Sequence, residues 1–199
     1  GVSSDHNTYY VGAASGGLFK TTNKGISWEP IFDDQDVSSV SAIAVSQENP
    51  NIVWAGTGET FLIRPAHAIG DGIYKSEDGG NTWKNMGLQK TARIAKIVIH
   101  PKNDKIVYVA ALGHTFGPQE DRGIYKTTNG GKTWKKILFI DQNTGGIDIA
   151  LDRKNPNFLI ASMWEIYINT WGLNSGGESG GVFISKDAGK SWERQDKNG

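Results

Sequence analysis

Apolar positions in this chain come in short runs that are cut by Gly, Asn, Asp and Pro. Tyr9-Tyr10-Val11, Ile43-Ala44-Val45, Ile52-Val53-Trp54-Ala55, Ile97-Val98-Ile99, Ile106-Val107-Tyr108-Val109-Ala110, Phe158-Leu159-Ile160-Ala161 and Val182-Phe183-Ile184 are the clearest. Runs this short, rich in β-branched and aromatic residues and bounded by turn formers, predict strands. The expected strands are Thr8–Ala13 and Leu18–Thr21, with a return through Trp28 and Ile31-Phe32. A full set of four follows over 41–45, 52–56, 72–76 and 82–85. The set recurs over 95–99, 106–110, 123–127 and 133–137, and again over 146–151, 158–162, 181–185 and 191–194. Gln47–Asn51, Pro101–Asp104 and Asn155–Asn157 read as the turns after each first strand. No helix of ordinary length and no linker is expected.

One motif recurs at a fixed place in these sets. Ser76-Glu77-Asp78-Gly79-Gly80-Asn81-Thr82-Trp83 is matched by Thr21–Trp28, Thr127–Trp134 and Ser185–Trp192, giving the pattern [ST]-x-[DN]-x-G-x-[ST]-W. The tryptophans lie 55, 51 and 58 residues apart, a period that signals an array of similar units. The Asp or Asn side chain is expected to accept backbone N–H bonds and close a turn. The Gly supplies the positive φ that a tight hairpin needs, and the Trp offers an apolar face with one N–H donor. Asn23 and Asn129 stand where Asp78 and Asp187 stand, so the position requires an acceptor and not a charge. That makes Asn23, Trp28, Asp78, Trp83, Asn129, Trp134, Asp187 and Trp192 structural residues rather than catalytic ones.

Composition agrees with short strands and many turns: 26 Gly, 7 Trp and no Cys in 199 residues. The 21 basic residues balance the 21 acidic ones, so charge points neither to nucleic acid nor to an anionic membrane. Without cysteine there is no disulfide or thiolate metal site. The four histidines are dispersed, no metal and no cofactor is expected, and no apolar run reaches membrane-spanning length.

The motif is that of the Asp-box, or BNR, repeat. The chain resembles the Asp-box proteins as a group: sialidases, xyloglucan-cleaving glycoside hydrolases, sortilin-type receptors and photosystem assembly factors. It is most similar to bacterial secreted proteins of sortilin-like or glycosyl-hydrolase-like type. The likeness rests on the boxes and on Val11–Asn23, Val53–Glu59, Tyr108–His114 and Trp171–Gly177. It implies an all-β chain, a β-propeller of four-stranded antiparallel blades with the box between strands three and four of each. The expected units are a partial blade over 1–35 that lacks its innermost strand, then blades over 36–90, 91–141 and 142–199. Box-bearing propellers normally have six or more blades, so a segment of a larger propeller is expected, with self-association as one way to complete the ring. A location outside the cytoplasm (extracellular, periplasmic or on the outer surface) is implied as well.

In such a blade the loop between strands two and three lies opposite the box. Here those loops are long and unlike one another: 58–71, 113–121 and 164–180. Loops that break a repeat are where function is usually added. Glu59, Asp71 and Glu178 are candidate carboxylates for glycoside hydrolysis, which uses one as acid and another as base or nucleophile. Trp164, Tyr167 and Trp171 offer flat faces for sugar rings, and Arg64 and His114 offer polar contacts. His67, Glu120, Asp121, Arg122 and Glu165 share the same loops. Xyloglucan-cleaving relatives place a catalytic Asp where this chain has Ala14. A surface binding a glycan, peptide or protein is therefore the first expectation, ahead of a polysaccharide hydrolase or a purely structural module.

Overall fold

A strand with apolar side chains on both faces needs a sheet on each side, and that requirement sets the architecture. In the computed structural model, which describes residues 5–60, 68–169 and 171–195, four antiparallel sheets follow one another along the chain. The first has β1 (Tyr9–Ala13), β2 (Gly17–Thr21) and β3 (Glu29–Pro30). The second has β4 (Val40–Val45), β5 (Val53–Thr57), β6 (Ile73–Ser76) and β7 (Lys84–Asn85). A 3-10 turn, Gln89–Thr91, leads into the third, made of β8 (Ile94–His100), β9 (Asn103–Ala111), β10 (Gly123–Thr127) and β11 (Lys135–Leu138). The fourth contains β12 (Thr144–Leu151), β13 (Leu159–Ile168), β14 (Leu173–Ser175), β15 (Gly181–Ser185) and β16 (Glu193–Arg194). Its main path is β12-β13-β15-β16, and β14 pairs only with the far end of β13.

The innermost strands β4, β8 and β12 pack side by side, so the sheets radiate as propeller blades. Each inner strand of the four-stranded sheets carries a bulge near its start, at Ser41, Ala95 and Ile147, where two residues face one on the partner strand. Bulges of this kind bend a strand at the rim of a closed architecture. In the first sheet β1 holds the place of a second strand. The Asn7 carbonyl just before it accepts from Lys24 N, as the carbonyls of Asn51, Lys105 and Asn157 accept from Gly79, Gly130 and Ala188. These bonds tie each box turn to the chain entering the second strand of its own blade.

Three apolar clusters lie between the four sheets. Leu18, Phe32, Val40, Ala55 and Tyr74 fill the first junction. Trp54, Ile73, Ile94, Val107, Val109 and Tyr125 fill the second, and Tyr108, Ile124, Ile149, Leu159, Met163 and Phe183 the third. Burying each of the larger aliphatic and aromatic groups contributes about 1.5–3 kcal/mol. Strand β5 is buried at every position, because neighbouring blades cover both of its faces.

The boxes form one hydrogen-bond pattern four times. The hydroxyl of Thr21, Ser76, Thr127 or Ser185 accepts from the backbone N–H of Gly25, Gly80, Gly131 or Gly189 and donates to the box Asn or Asp. The same Asn or Asp oxygen accepts the backbone N–H of Ser27, Thr82, Thr133 or Ser191. Each of the four hydroxyl residues is 1% exposed, so this side chain is a buried cap as well as the end of a strand. At the glycine φ is +88°, +98°, +91° and +85°, the left-handed region expected of that position.

Candidate functional site

On the face opposite the boxes, the loops of blades three and four are built into each other. About half of the segment expected as a loop over 164–180 is strand. β13 continues to Ile168, where Ile166, Tyr167 and Ile168 pair with Ser175, Asn174 and Leu173 of β14. The result is a hairpin that stands above its blade, in which Met163 and Ile166 are buried while Trp164 and Tyr167 are half-buried. At its tip Asn169 Oδ1 accepts the backbone N–H groups of Trp171 and Gly172 at 2.9 and 2.8 Å, an Asx turn. That turn holds the Trp171 side chain 93% exposed.

The 113–121 loop of blade three leans on this hairpin. Phe116 bridges to Ile168, and Gln119 N donates to Gln142 O at 2.9 Å. Between them lies a cavity of about 360 Å3 lined by Pro118, Asn143, Glu165, Tyr167, Asn174 and Gly176. Glu165 is set in it by the backbone N–H of Ser179, 2.9 Å from Oε2. The lining combines an aromatic ring, two amides and one carboxylate, a set that suits a polyhydroxylated ligand better than an apolar one.

Two buried arginines hold the loops in place. Arg93 Nε and Nη2 donate to the carbonyls of Gly113 and His114. Arg122 donates through Nη1 to Asn143 O and Ile166 O and through Nη2 to His114 O. They are 1% and 0% exposed, and no carboxylate pairs with either among the described residues. Burial, then the neighbouring Arg122 charge, lowers Arg93 to about 10. Burial also lowers Arg122. Arg122 was among the loop residues singled out by sequence, but Arg93 was not. Its place at the junction before β8, where the other blades have Ser39 and Asn143, gave no chemical signal.

The remaining candidates are dispersed. Glu59 and Asp71 share the 58–72 segment of blade two, where Glu59 N donates to Ala68 O. Asp71 is committed locally: it accepts from the Tyr74 hydroxyl at 2.5 Å and from the Thr57 hydroxyl at 3.3 Å. Burial first, and this Asp71 bond second, push Tyr74 up to about 12. Glu178 is exposed on blade four, its carbonyl bound by Arg194 Nη1. His114 is half-buried and contributes backbone groups, its N–H donating to Gln119 Oε1. Arg64 and His67 lie outside the described residues. Ala14 sits in the short loop of the first sheet. Among the described residues no three His, Asp or Glu side chains gather as a metal site would, and no helix is long and apolar enough to cross a membrane.

Comparison with known proteins sharpens this picture. A family model, Sortilin-Vps10, described as "Sortilin, neurotensin receptor 3", matches residues 71–198. Xyloglucanase Xgh74A of Acetivibrio thermocellus is 23% identical over 213 residues, which cover 95% of this chain and 24% of that protein. The crystal structure of an ancestral GH74 enzyme superposes with a TM-score of 0.71 at 22% identity, over 98% of this chain and 23% of the other. YCF48 bound to D1 peptide superposes with a TM-score of 0.52 at 15% identity, over 96% of this chain and 80% of the other. The chain thus spans about a quarter of the length of the xyloglucanase it matches.

Proposed function

The chain belongs to the Sortilin-Vps10 family, and from that premise we propose that it is an extracytoplasmic propeller module whose loop face binds a polysaccharide. The observation that carries the reading is Trp171. An indole left 93% exposed on a hairpin, with its backbone fixed by Asn169, presents a flat apolar face that a ligand can cover. A sugar ring does so through its C–H face, while the polar cavity beside Tyr167, Asn174 and Asn143 meets the hydroxyls. The likeness to a xyloglucanase supports a plant-wall glucan as the class of ligand. A polymer of that kind does not cross membranes, so a protein that binds it works outside the cytoplasm.

The same likeness favours one second reading, a xyloglucan hydrolase. Within this stretch the carboxylates do not support it. Asp71 is held by Tyr74 and Thr57, Glu178 stands on a different blade, and Ala14 occupies the position at which xyloglucan-cleaving relatives carry an Asp.

Titrating xyloglucan oligosaccharides against tryptophan fluorescence tests the binding reading. Quenching is expected, and Trp171→Ala should abolish it without changing the thermal midpoint. Quenching that survives Trp171→Ala would move the site elsewhere. Release of reducing sugar, lost on Glu59→Ala, Asp71→Ala or Glu178→Ala, would establish the hydrolase instead.

A further inference from the structure

A sizeable cavity lies on the box face, away from the loops. It sits at the junction of blades two and three and encloses about 670 Å3. Lys75, Lys84, Lys105 and Lys132 line it, against the single carboxylate of Glu77. Glu77 is taken up by Lys75 at 2.6 Å. The next junction, between blades three and four, has a groove of about 210 Å3 lined by Lys126, Lys135 and Lys190 and by no carboxylate. Thr128 lines both, so the two grooves adjoin at the third box.

The repeat itself shows that these lysines are not all part of its framework. Three positions build each groove: the residue before the box, the residue after the box Trp, and the residue after the glycine of the following box. At the second junction they are Lys75, Lys84 and Lys132, and at the third Lys126, Lys135 and Lys190. At the first junction they are Lys20, Glu29 and Asn81. The first of the three has a structural task, since Lys20 and Lys126 bind the carbonyls of Gly79 and Ala188 on the adjoining box. The other two have no such task, because the fold forms equally with Glu29 and Asn81. At the third junction burial and the nearby Lys190 charge press the Lys126 ammonium below its ordinary value, and Lys135 adds to this while Asp187 opposes it.

We propose that these two adjoining grooves form a binding track for an anionic polysaccharide. A linear polyanion laid across Thr128 meets lysines in both grooves in succession. The Thr82 hydroxyl and the Asn129 amide also line the cavity but are engaged within their own box turns, so the lysines carry the recognition. One indole, Trp83, forms part of the wall. A nucleic acid strand would call instead for a series of stacking faces. A neutral overall charge concealed this feature, because the balance of 21 against 21 says nothing of where the charges stand.

Affinity electrophoresis of the intact chain in gels containing polygalacturonate, heparin or neutral xyloglucan tests the proposal. Retardation by an anionic polymer is expected at low salt, with release as salt screens the contacts. Retardation by polygalacturonate alone assigns a carboxylated glycan, and by heparin alone a sulfated one. The paired variants Lys84→Gln/Lys132→Gln and Lys135→Gln/Lys190→Gln should each weaken binding about three- to tenfold, the scale of two exposed ion pairs. Glu29→Lys/Asn81→Lys, which installs the same triad at the first junction, should strengthen it. Trp171→Ala should leave it unchanged, so this test and that of the loop face fail independently. The proposal is overturned if neither anionic polymer retards the protein, if all four lysine changes together leave retardation intact, or if a single-stranded oligonucleotide is retained as tightly as the glycans.

Discussion

The indole N–H of Trp83 donates to the main-chain carbonyl of Ile31 at 2.7 Å, across the boundary between two blades. Trp134 repeats the bond one blade on, to Met86 at 2.8 Å. The box is therefore a joint as well as a turn. Its Asp or Asn shapes the hairpin within one blade, and in the second and third boxes its Trp fastens that hairpin to the blade before, whereas the buried Trp192 N–H makes no such bond. The ring of Trp83 also meets Phe32 edge-on, with centroids 5.3 Å apart, so apolar contact and hydrogen bond act at one place.

Trp83→Phe keeps most of the ring contact and deletes the N–H. The Ile31 carbonyl then loses this partner, and a loss of about 0.5–1.5 kcal/mol is expected. Urea unfolding of the two proteins measures it. An unchanged midpoint would show that water replaces the indole at no cost.

At the start of the box a hydroxyl is required, but which one is not. Ser76 and Ser185 alternate with Thr21 and Thr127, and all four are buried. Ser76→Thr should be near neutral. Ser76→Ala leaves the Gly80 N–H without its 2.7 Å acceptor and should cost about 1–3 kcal/mol. Thermal unfolding of the two variants side by side separates the hydroxyl from side-chain size.

The acceptor position carries a charge in only two boxes, and its titration should be visible. The Thr82 hydroxyl, then the Thr82 amide and Ser76, hold the Asp78 carboxyl down at about 2. The Asp187 carboxyl is likewise lowered, first by the Ser191 hydroxyl. A value below the ordinary carboxylate range of about 4 means that the charge stabilises the fold fully above that range. The contribution then fades as pH falls through about 2. Asp78→Asn keeps the acceptor, as Asn23 and Asn129 do, and removes the titration. The difference in urea midpoint between wild type and Asp78→Asn should be constant from neutral pH to about pH 5 and shrink below about pH 4. A difference independent of pH down to 2 would contradict the assigned role of the charge.

The fold was legible because its instructions are local. Each box carries its own turn chemistry in eight residues, and each strand run is bounded by turn formers. What was not legible depended on contacts between blades. The hairpin of β13 and β14 was read as loop because Asn169, Trp171 and Gly172 look like loop residues, and the pairing of Tyr167 with Asn174 has no marker in sequence. Arg93 was missed for a similar reason: its partners, Gly113 O and His114 O, are main-chain atoms some twenty residues away. The lysine grooves were hidden by residues from two boxes that meet only when adjacent blades pack.

Arg93 and Arg122 together gather the carbonyls of Gly113, His114, Asn143 and Ile166. A lysine has one donor head and cannot span Gly113 O and His114 O as the guanidinium does. Arg93→Lys should therefore loosen the 113–121 loop, at a cost of about 1.5–3 kcal/mol for a lost charge-assisted bond. Limited proteolysis reads this directly: new cleavage between Gly113 and Asp121 is expected in the variant and not in the wild type. An identical digest would mean that Arg122 alone suffices to hold the loop.

The two outer faces of the blade series differ from its interior, and the difference predicts behaviour in solution. Trp28 is 40% exposed where Trp83 and Trp134 bind a preceding blade, and Ile26 and Val11 beside it are 86% and 48% exposed. On the opposite face Ile160, at 37%, stands where Tyr10, Trp54 and Tyr108 meet a following blade, and Val182, at 40%, stands where Leu18, Ile73 and Ile124 are buried. Ile160 itself occupies the aromatic position of the other blades. The face that offers Trp28 is of the kind that meets a preceding blade and the face that offers Ile160 of the kind that meets a following one, so head-to-tail joining of two copies is the expected outcome. The 199-residue chain should accordingly form dimers or larger species at micromolar concentration, measured by light scattering after size exclusion. Ile160→Lys/Val182→Lys places two charges on that face and should return the monomer with little loss of stability. A monomer at all concentrations, with wild type and variant indistinguishable, would show that these faces do not recognise each other.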